Sequence, residues 1–162
     1  MHRVAKTILG ATLCATALWL TACTTPPKSA QQAASPPACK AVGGDDALVG
    51  NWLSVDSRKG VAGSLRTLYT LNLDGTMTYV EQLKRPGKPS QGLHESGCWH
   101  RDGKLLVLQT RASHGVPVDV ADPIYTNRYR IDRVSATDLR MQAPQGVAVR
   151  ARRMSPGYRL PF

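Results

Sequence analysis

Hydrophobic and polar residues alternate along most of this chain after residue 46. Between residues 65 and 73, for example, every second residue is Leu, Thr or Tyr. Such alternation is typical of a strand with one buried face, and the Asp-Gly pairs at 74–75 and 102–103 favour tight hairpin turns. The pattern predicts eight strands, at 48–55, 65–73, 77–83, 94–100, 104–111, 125–134, 138–142 and 146–153.

The order of these strands favours a closed sheet. Short strands joined by tight turns, with no helical periodicity, are typical of an all-β antiparallel meander, and closure removes the exposed edges of an open sheet. We therefore predict an eight-stranded antiparallel meander barrel, with a β-sandwich as the alternative. The longest internal loop is expected at residues 112–123.

The N-terminal residues predict export. A basic start is followed by an uncharged stretch at 7–20, which is too short to span a membrane comfortably and is typical of a signal peptide. The stretch ends Leu20-Thr21-Ala22-Cys23, which resembles the bacterial lipobox and implies a lipid on Cys23; an ordinary cleaved signal is the alternative. We predict a signal peptide at 1–22, a lipidated flexible tether at 23–46 and one folded domain at 47–162.

The charge of the chain indicates anionic partners. The formal net charge is +10, and loss of the signal peptide with Arg3 and Lys6 lowers it to +8. A basic exported protein attracts phospholipid or lipopolysaccharide head groups, whereas the compartment and the lack of a suitable motif argue against nucleic acid. Because Thr24 rather than Asp follows the lipidated cysteine, we expect the periplasmic side of the outer membrane.

Two cysteines remain for the folded domain, Cys39 and Cys98, because Cys14 leaves with the signal peptide and Cys23 carries the lipid. In an oxidising compartment such a pair predicts a disulfide. Metal ligation and two free thiols are the alternatives. A disulfide would pin the second half of the tether against the domain.

Gly50-Asn51-Trp52 on the first strand, followed by Gly97-Cys98-Trp99 before a second Asp-Gly turn, resembles the lipocalins and small bacterial lipocalin-like lipoproteins over residues 47–154. The resemblance implies that Trp52 packs across the closed end of the barrel, with Arg150 or Arg152 stacked on it. The chain departs from full-sized lipocalins in lacking a C-terminal helix. Its strands are also short, which leaves open whether side chains fill the interior.

The apolar face of the strands is a candidate pocket. If it lines a cavity, Trp52, Tyr69, Tyr79 and Tyr129 are its candidate ligand-binding residues; if not, it is the core. The residues expected to point inward are Trp52, Tyr69, Leu71, Tyr79, Leu105, Val107, Tyr129, Ile131, Met141 and Val149.

Five arginines alternate with apolar residues on the last three strands. Period two places them together on the outer face, where a cationic stripe would bind carboxylates or phosphates; an ordinary solvated exterior is the alternative. These arginines are Arg128, Arg130, Arg140, Arg150 and Arg152.

Candidates for chemistry are few. His94, Cys98 and His100 share one face of a strand and are possible Zn²⁺ or copper ligands, but Glu95 falls on the other face and Cys98 has Cys39 as a partner. Glu81 and Glu95 can face one another across a hairpin, yet no nucleophile elbow or phosphate loop accompanies them. We expect no metal, no cofactor and no enzymatic activity.

These observations favour a lipid-anchored envelope lipoprotein that acts as a non-catalytic binding module, for a small apolar or amphipathic ligand in the barrel. The alternative is an interaction protein that docks anionic envelope components or a protein partner through its basic face. An open interior favours the first, and a filled one the second.

Overall fold

The hairpin turns and period-two strands of this chain close into a barrel. The structure is a computed structural model that describes residues 38–57 and 62–161. The predicted signal peptide, Cys23 and most of the tether lie outside the described residues. Within them there is no α-helix, and no helix is long and apolar enough to cross a membrane.

Nine strands and one short 3-10 helix make up the fold. Strands β1 to β5 pair antiparallel in chain order, β5 pairs with β7, and β7, β8 and β9 continue the order. Because β9 pairs with β1, eight strands close on themselves. The two-residue β6 pairs with β5 outside the closed ring. The elements are β1 Gly50–Asp56, β2 Ser64–Leu71, β3 Thr76–Lys84, β4 Gln91–Asp102, β5 Leu105–Ser113, β6 Val116–Pro117, the 3-10 helix Pro123–Tyr125, β7 Thr126–Val134, β8 Asp138–Gln142 and β9 Ala148–Met154.

The predicted eight-stranded antiparallel barrel is therefore confirmed. The predicted loop at 112–123 additionally contains β6, and the fourth strand is longer than its apolar pattern indicated. Leu73, expected on the second strand, lies in the Asp74-Gly75 turn and is half exposed. In that turn the Asp74 carboxylate accepts hydrogen bonds from the backbone N–H and hydroxyl of Thr76, which lower the Asp74 pKa.

The interior face of the fifth strand differs from the prediction. Leu106 and Leu108 point into the core, while Leu105 and Val107 lie on the outer face, opposite Arg130 and Arg128 of β7. The run Leu105-Leu106-Val107-Leu108 is apolar at every position, so its sequence contains no alternation that distinguishes the two faces.

The segment before β1 is fixed to the barrel, as the disulfide prediction requires. Cys39 and Cys98 form a disulfide with Cα atoms 5.4 Å apart. The Val42 N–H donates to the Leu73 carbonyl at 2.9 Å, and Val42 packs against the core. A Cβ on Gly75 would lie 2.0 Å from the Lys40 carbonyl oxygen, so this close approach of the two chains requires glycine.

The segment after β9 crosses the outer face of the barrel. The Asn51 side-chain amide donates to the Ser155 carbonyl at 2.9 Å, and the Gln82 amide donates to the Pro161 carbonyl. Between these anchors Leu160 is buried, and Leu68 on the outer face of β2 is only 4% exposed.

Candidate functional site

One end of the barrel is filled by side chains. Trp52 is completely buried there, and its indole N–H donates to the Leu48 carbonyl at 2.7 Å. The Arg153 guanidinium lies 4.1 Å from the centre of the Trp52 ring and donates to the carbonyls of Ala47, Val49 and Ala136. The predicted burial of Trp52 is therefore confirmed.

The predicted stacking partner of Trp52 is wrong. Arg150 and Arg152 point outward from β9, whereas Arg153 continues the inward face of Ala151. An arginine that stacks on the Trp52 ring must point to the inner face of the barrel. Of the three arginines on β9, alternation turns only Arg153 to that face.

The other end of the barrel is open. A cavity of about 640 Å³ enters it, with Tyr69, Tyr79 and Tyr129 on its wall together with polar groups of Ser54, Thr67, Glu81 and Asn127. A neighbouring space of about 340 Å³ shares Leu65 and Glu81 with it and adds the apolar side chains of Leu83 and Leu93. The barrel is therefore a cup, sealed at the Trp52 end and accessible at the tyrosine end.

The three tyrosines form one aromatic group. The Tyr69 ring meets those of Tyr79 and Tyr129 edge to face, with ring centres 5.3 Å and 5.8 Å apart. Burial is the main cause that raises the pKa of all three phenols, and that of Tyr69 lies well above its usual value. At neutral pH they are therefore neutral hydroxyls that donate and accept hydrogen bonds, and none of them is a phenolate base.

Two carboxylates face the same interior. The Tyr79 hydroxyl donates to Glu81 at 2.7 Å, and the Thr110 hydroxyl donates to Glu95 at 3.0 Å. Tyr79 stands directly opposite Glu95 across β3 and β4, which makes Glu81 and Glu95 diagonal neighbours on one face. Period two already placed Glu81 on the face of Tyr79, but its sequence context did not indicate a cavity.

The four predicted pocket residues therefore lie in two different parts of the barrel. Tyr69, Tyr79 and Tyr129 line the cavity, whereas Trp52 lies in the filled end and does not. Arg150 is the one cationic residue along the described wall of the cavity, and it belongs to the outer face at the rim. The charge inside the cup is therefore opposite in sign to the net charge of the chain.

The five predicted outer arginines are all exposed and outward, as period two requires. Arg140 and Arg150 stand directly opposite one another across β8 and β9. Arg130 makes an ion pair with Asp132 at 3.3 Å. Arg133 joins the outer face because the pairing of β7 with β8 shifts between Ile131 and Arg133, which reverses the side on which it projects.

The histidines flanking Cys98 do not form a metal site with it. His94 and His100 are exposed on the outer face, Glu95 lies on the opposite face as predicted, and the Cys98 sulfur is bonded to Cys39. In the part of the chain that the structure describes, no three His, Cys, Asp or Glu side chains are grouped so as to hold a metal ion.

Comparison of the chain with known protein families and with curated protein sequences finds no match. The candidate function therefore rests on the geometry of the cup and of the outer face.

Proposed function

We propose that this protein is a non-catalytic binding module that holds a small amphipathic ligand in the open end of its barrel. The observation that carries this proposal is the cavity of about 640 Å³ beside the three tyrosines. A concave site of this size, which combines aromatic side chains with convergent polar groups, is a usual form of a small-molecule site.

The polarity of the cup defines the class of ligand. Glu81 and the hydroxyls of Tyr69, Tyr79 and Tyr129 offer negative charge and hydrogen-bond acceptors, and tyrosine rings attract cations. Leu65, Leu83 and Leu93 provide an apolar surface next to Glu81. The ligand that fits has an amine or another cationic donor group at Glu81 and an apolar body against the leucines.

The proposed location is the periplasmic face of the outer membrane, with the chain anchored by lipid at Cys23. The lipobox-like Leu20-Thr21-Ala22-Cys23 and the following Thr24 support it. The disulfide between Cys39 and Cys98 agrees with an oxidising compartment. The closed barrel agrees with a lipocalin-like module, which we retain as a proposal on the resemblance of residues 47–154.

The first test is native mass spectrometry of the full chain purified from its own membrane. We expect a copurified small molecule that is lost in the Tyr79→Phe, Glu81→Gln double variant. A protein that carries no small molecule and binds none of the probes below would overturn the binding-module proposal.

The second test compares dodecylamine with dodecanoate by calorimetry on the full chain. We expect the amine to bind and the fatty acid to bind at least about tenfold more weakly, because a buried charged hydrogen bond contributes that much. Glu81→Gln should remove the difference. Asp102→Asn, which removes one negative charge from an exposed position outside the cup, is the matched control. Equal binding of both probes would refute the cationic preference but leave the cavity function standing.

A further inference from the structure

Three arginines stand in one row across the outer face of the barrel. Arg133 of β7 is directly opposite Arg140 of β8, which is directly opposite Arg150 of β9. Opposed side chains on neighbouring antiparallel strands have Cβ atoms about 5 Å apart. The register shift before Arg133 completes this row, since strict alternation would have turned that side chain inward.

The row is not neutralised by the described parts of the chain. None of its three guanidinium groups makes an ion pair with a described carboxylate, and all three residues are exposed. Two acids lie on these strands outside the row. Asp132 pairs with Arg130, and Asp138 stands directly opposite Arg152 and accepts a hydrogen bond from the Thr137 hydroxyl. Like charges placed directly opposite one another destabilise a sheet, so a bound anion would offset a cost that the fold carries.

An apolar depression lies beside the row. It measures about 500 Å³, and Arg140, Arg150 and Arg152 line it together with Asp138, which stands directly opposite Arg152. Leu53, Val55 and Met154 line it from β1 and the end of β9, and Val55 is 56% exposed. A surface with guanidinium groups on one side and exposed aliphatic side chains on the other is complementary to an anionic amphiphile.

We propose that this outer face is a second binding site, for a phosphate-bearing lipid. Its phosphate lies on the Arg133–Arg140–Arg150 row, and part of an acyl chain lies on Leu53, Val55 and Met154. The site is separate from the cup. Val55 and Arg150 stand at the rim and border both spaces, whereas Arg133, Arg140 and Met154 do not border the cavity of the cup.

The test is a lipid titration followed by NMR. The full chain in non-ionic detergent micelles receives phosphatidylglycerol, phosphatidylcholine with the same acyl chains, or the water-soluble glycerophosphoglycerol head group. We expect phosphatidylglycerol to shift the amide resonances around Arg140 and Met154. The other two probes should bind at least about tenfold more weakly, because each lacks either the net charge or the apolar part.

Variants locate the site. Arg133→Gln and Arg140→Gln should each weaken phosphatidylglycerol binding roughly tenfold, and Met154→Gln should weaken it several-fold. Arg128→Gln removes the same charge from the same outer face but outside the row, and it should have little effect. Binding of dodecylamine in the cup should be unchanged in Arg140→Gln, so loss of one site is distinguishable from loss of the other.

A stability measurement tests the repulsion within the row. Arg140 has an arginine on each side, so Arg140→Gln should raise the Tm by about 2 °C or more while it weakens lipid binding, and Arg128→Gln should leave the Tm unchanged.

Four results would overturn the proposal: no resonance shift with phosphatidylglycerol, equal binding of the head group alone, equal losses in Arg128→Gln and Arg140→Gln, or a lower Tm for Arg140→Gln.

Discussion

Arg153 and Arg152 are adjacent residues on β9, and their replacement by methionine should have very different effects on the free energy of unfolding. Arg153 points inward over the Trp52 ring, and its guanidinium donates to the carbonyls of Ala47, Val49 and Ala136. Arg152 points outward and is exposed. Arg153→Met keeps an apolar side chain against the ring but removes every one of these polar contacts.

The expected loss follows from those contacts. Hydrogen bonds from charged donors contribute about 1.5–3 kcal/mol each, and a cation–π contact about 0.5–2 kcal/mol. Because the Arg153 side chain is only partly buried, water replaces some of these interactions, and we expect a net loss of about 2–4 kcal/mol. Arg152→Met should change the free energy of unfolding by less than about 0.5 kcal/mol, as exposed substitutions usually do.

Urea unfolding with the disulfide intact is the appropriate assay, monitored by near-UV circular dichroism and by tryptophan fluorescence. Arg153→Lys separates charge from geometry, because an ammonium retains the charge but cannot reach three divergent carbonyls as a planar guanidinium does. We expect Arg153→Lys to recover less than half of the loss. Similar midpoints for the Arg152 and Arg153 variants would show that the closed end does not depend on this arginine.

Three further predictions concern other parts of the chain. Replacing Cys39 and Cys98 together by alanine should lower the free energy of unfolding by about 4 kcal/mol, since the bridge closes a loop with a sequence separation of 59, and thiol titration of the native protein should find neither cysteine free. A variant as stable as the native protein would contradict this. Because burial raises the pKa values of Tyr69, Tyr79 and Tyr129, their neutral forms stabilise the fold fully below the ordinary pKa of 10.0, and that stability should be lost as the pH rises above it. Tyrosinate absorbance should therefore increase together with unfolding, and a Tyr69→Phe variant should resist alkali better; ionisation of these phenols in a folded barrel would refute the burial argument. Cys23→Ser should abolish lipid attachment and leave an uncleaved or soluble form, measured by globomycin sensitivity and membrane fractionation; full retention in the outer membrane without any effect of globomycin would refute the lipobox interpretation.

The sequence by itself determined the strands, the turns and most of the two faces. Where apolar and polar residues alternate strictly, only one assignment of the two faces buries the apolar side chains. In β7, Tyr129 and Ile131 therefore point inward, and Arg128 and Arg130 point outward. The Asp74-Gly75 turn is likewise local, because its geometry depends on neighbouring residues alone. The disulfide was predictable for a different reason, since the other cysteines had other predicted roles.

Tertiary structure decided the rest, because those features depend on pairing between strands distant in sequence. The uniformly apolar run of β5 acquired its inner face, Leu106 and Leu108, only by packing against Trp99 and Tyr129. Arg133 joined the outer row through a register shift that local alternation does not contain.

The depth of the cup was decided in the same way. Side chains fill the barrel at Trp52 but leave a cavity at Tyr69, and residue volumes that meet only after closure determine where the filling stops. Where apolar and polar residues alternate strictly, the sequence determines which residues face inward. How much space remains between them is a property of the closed sheet.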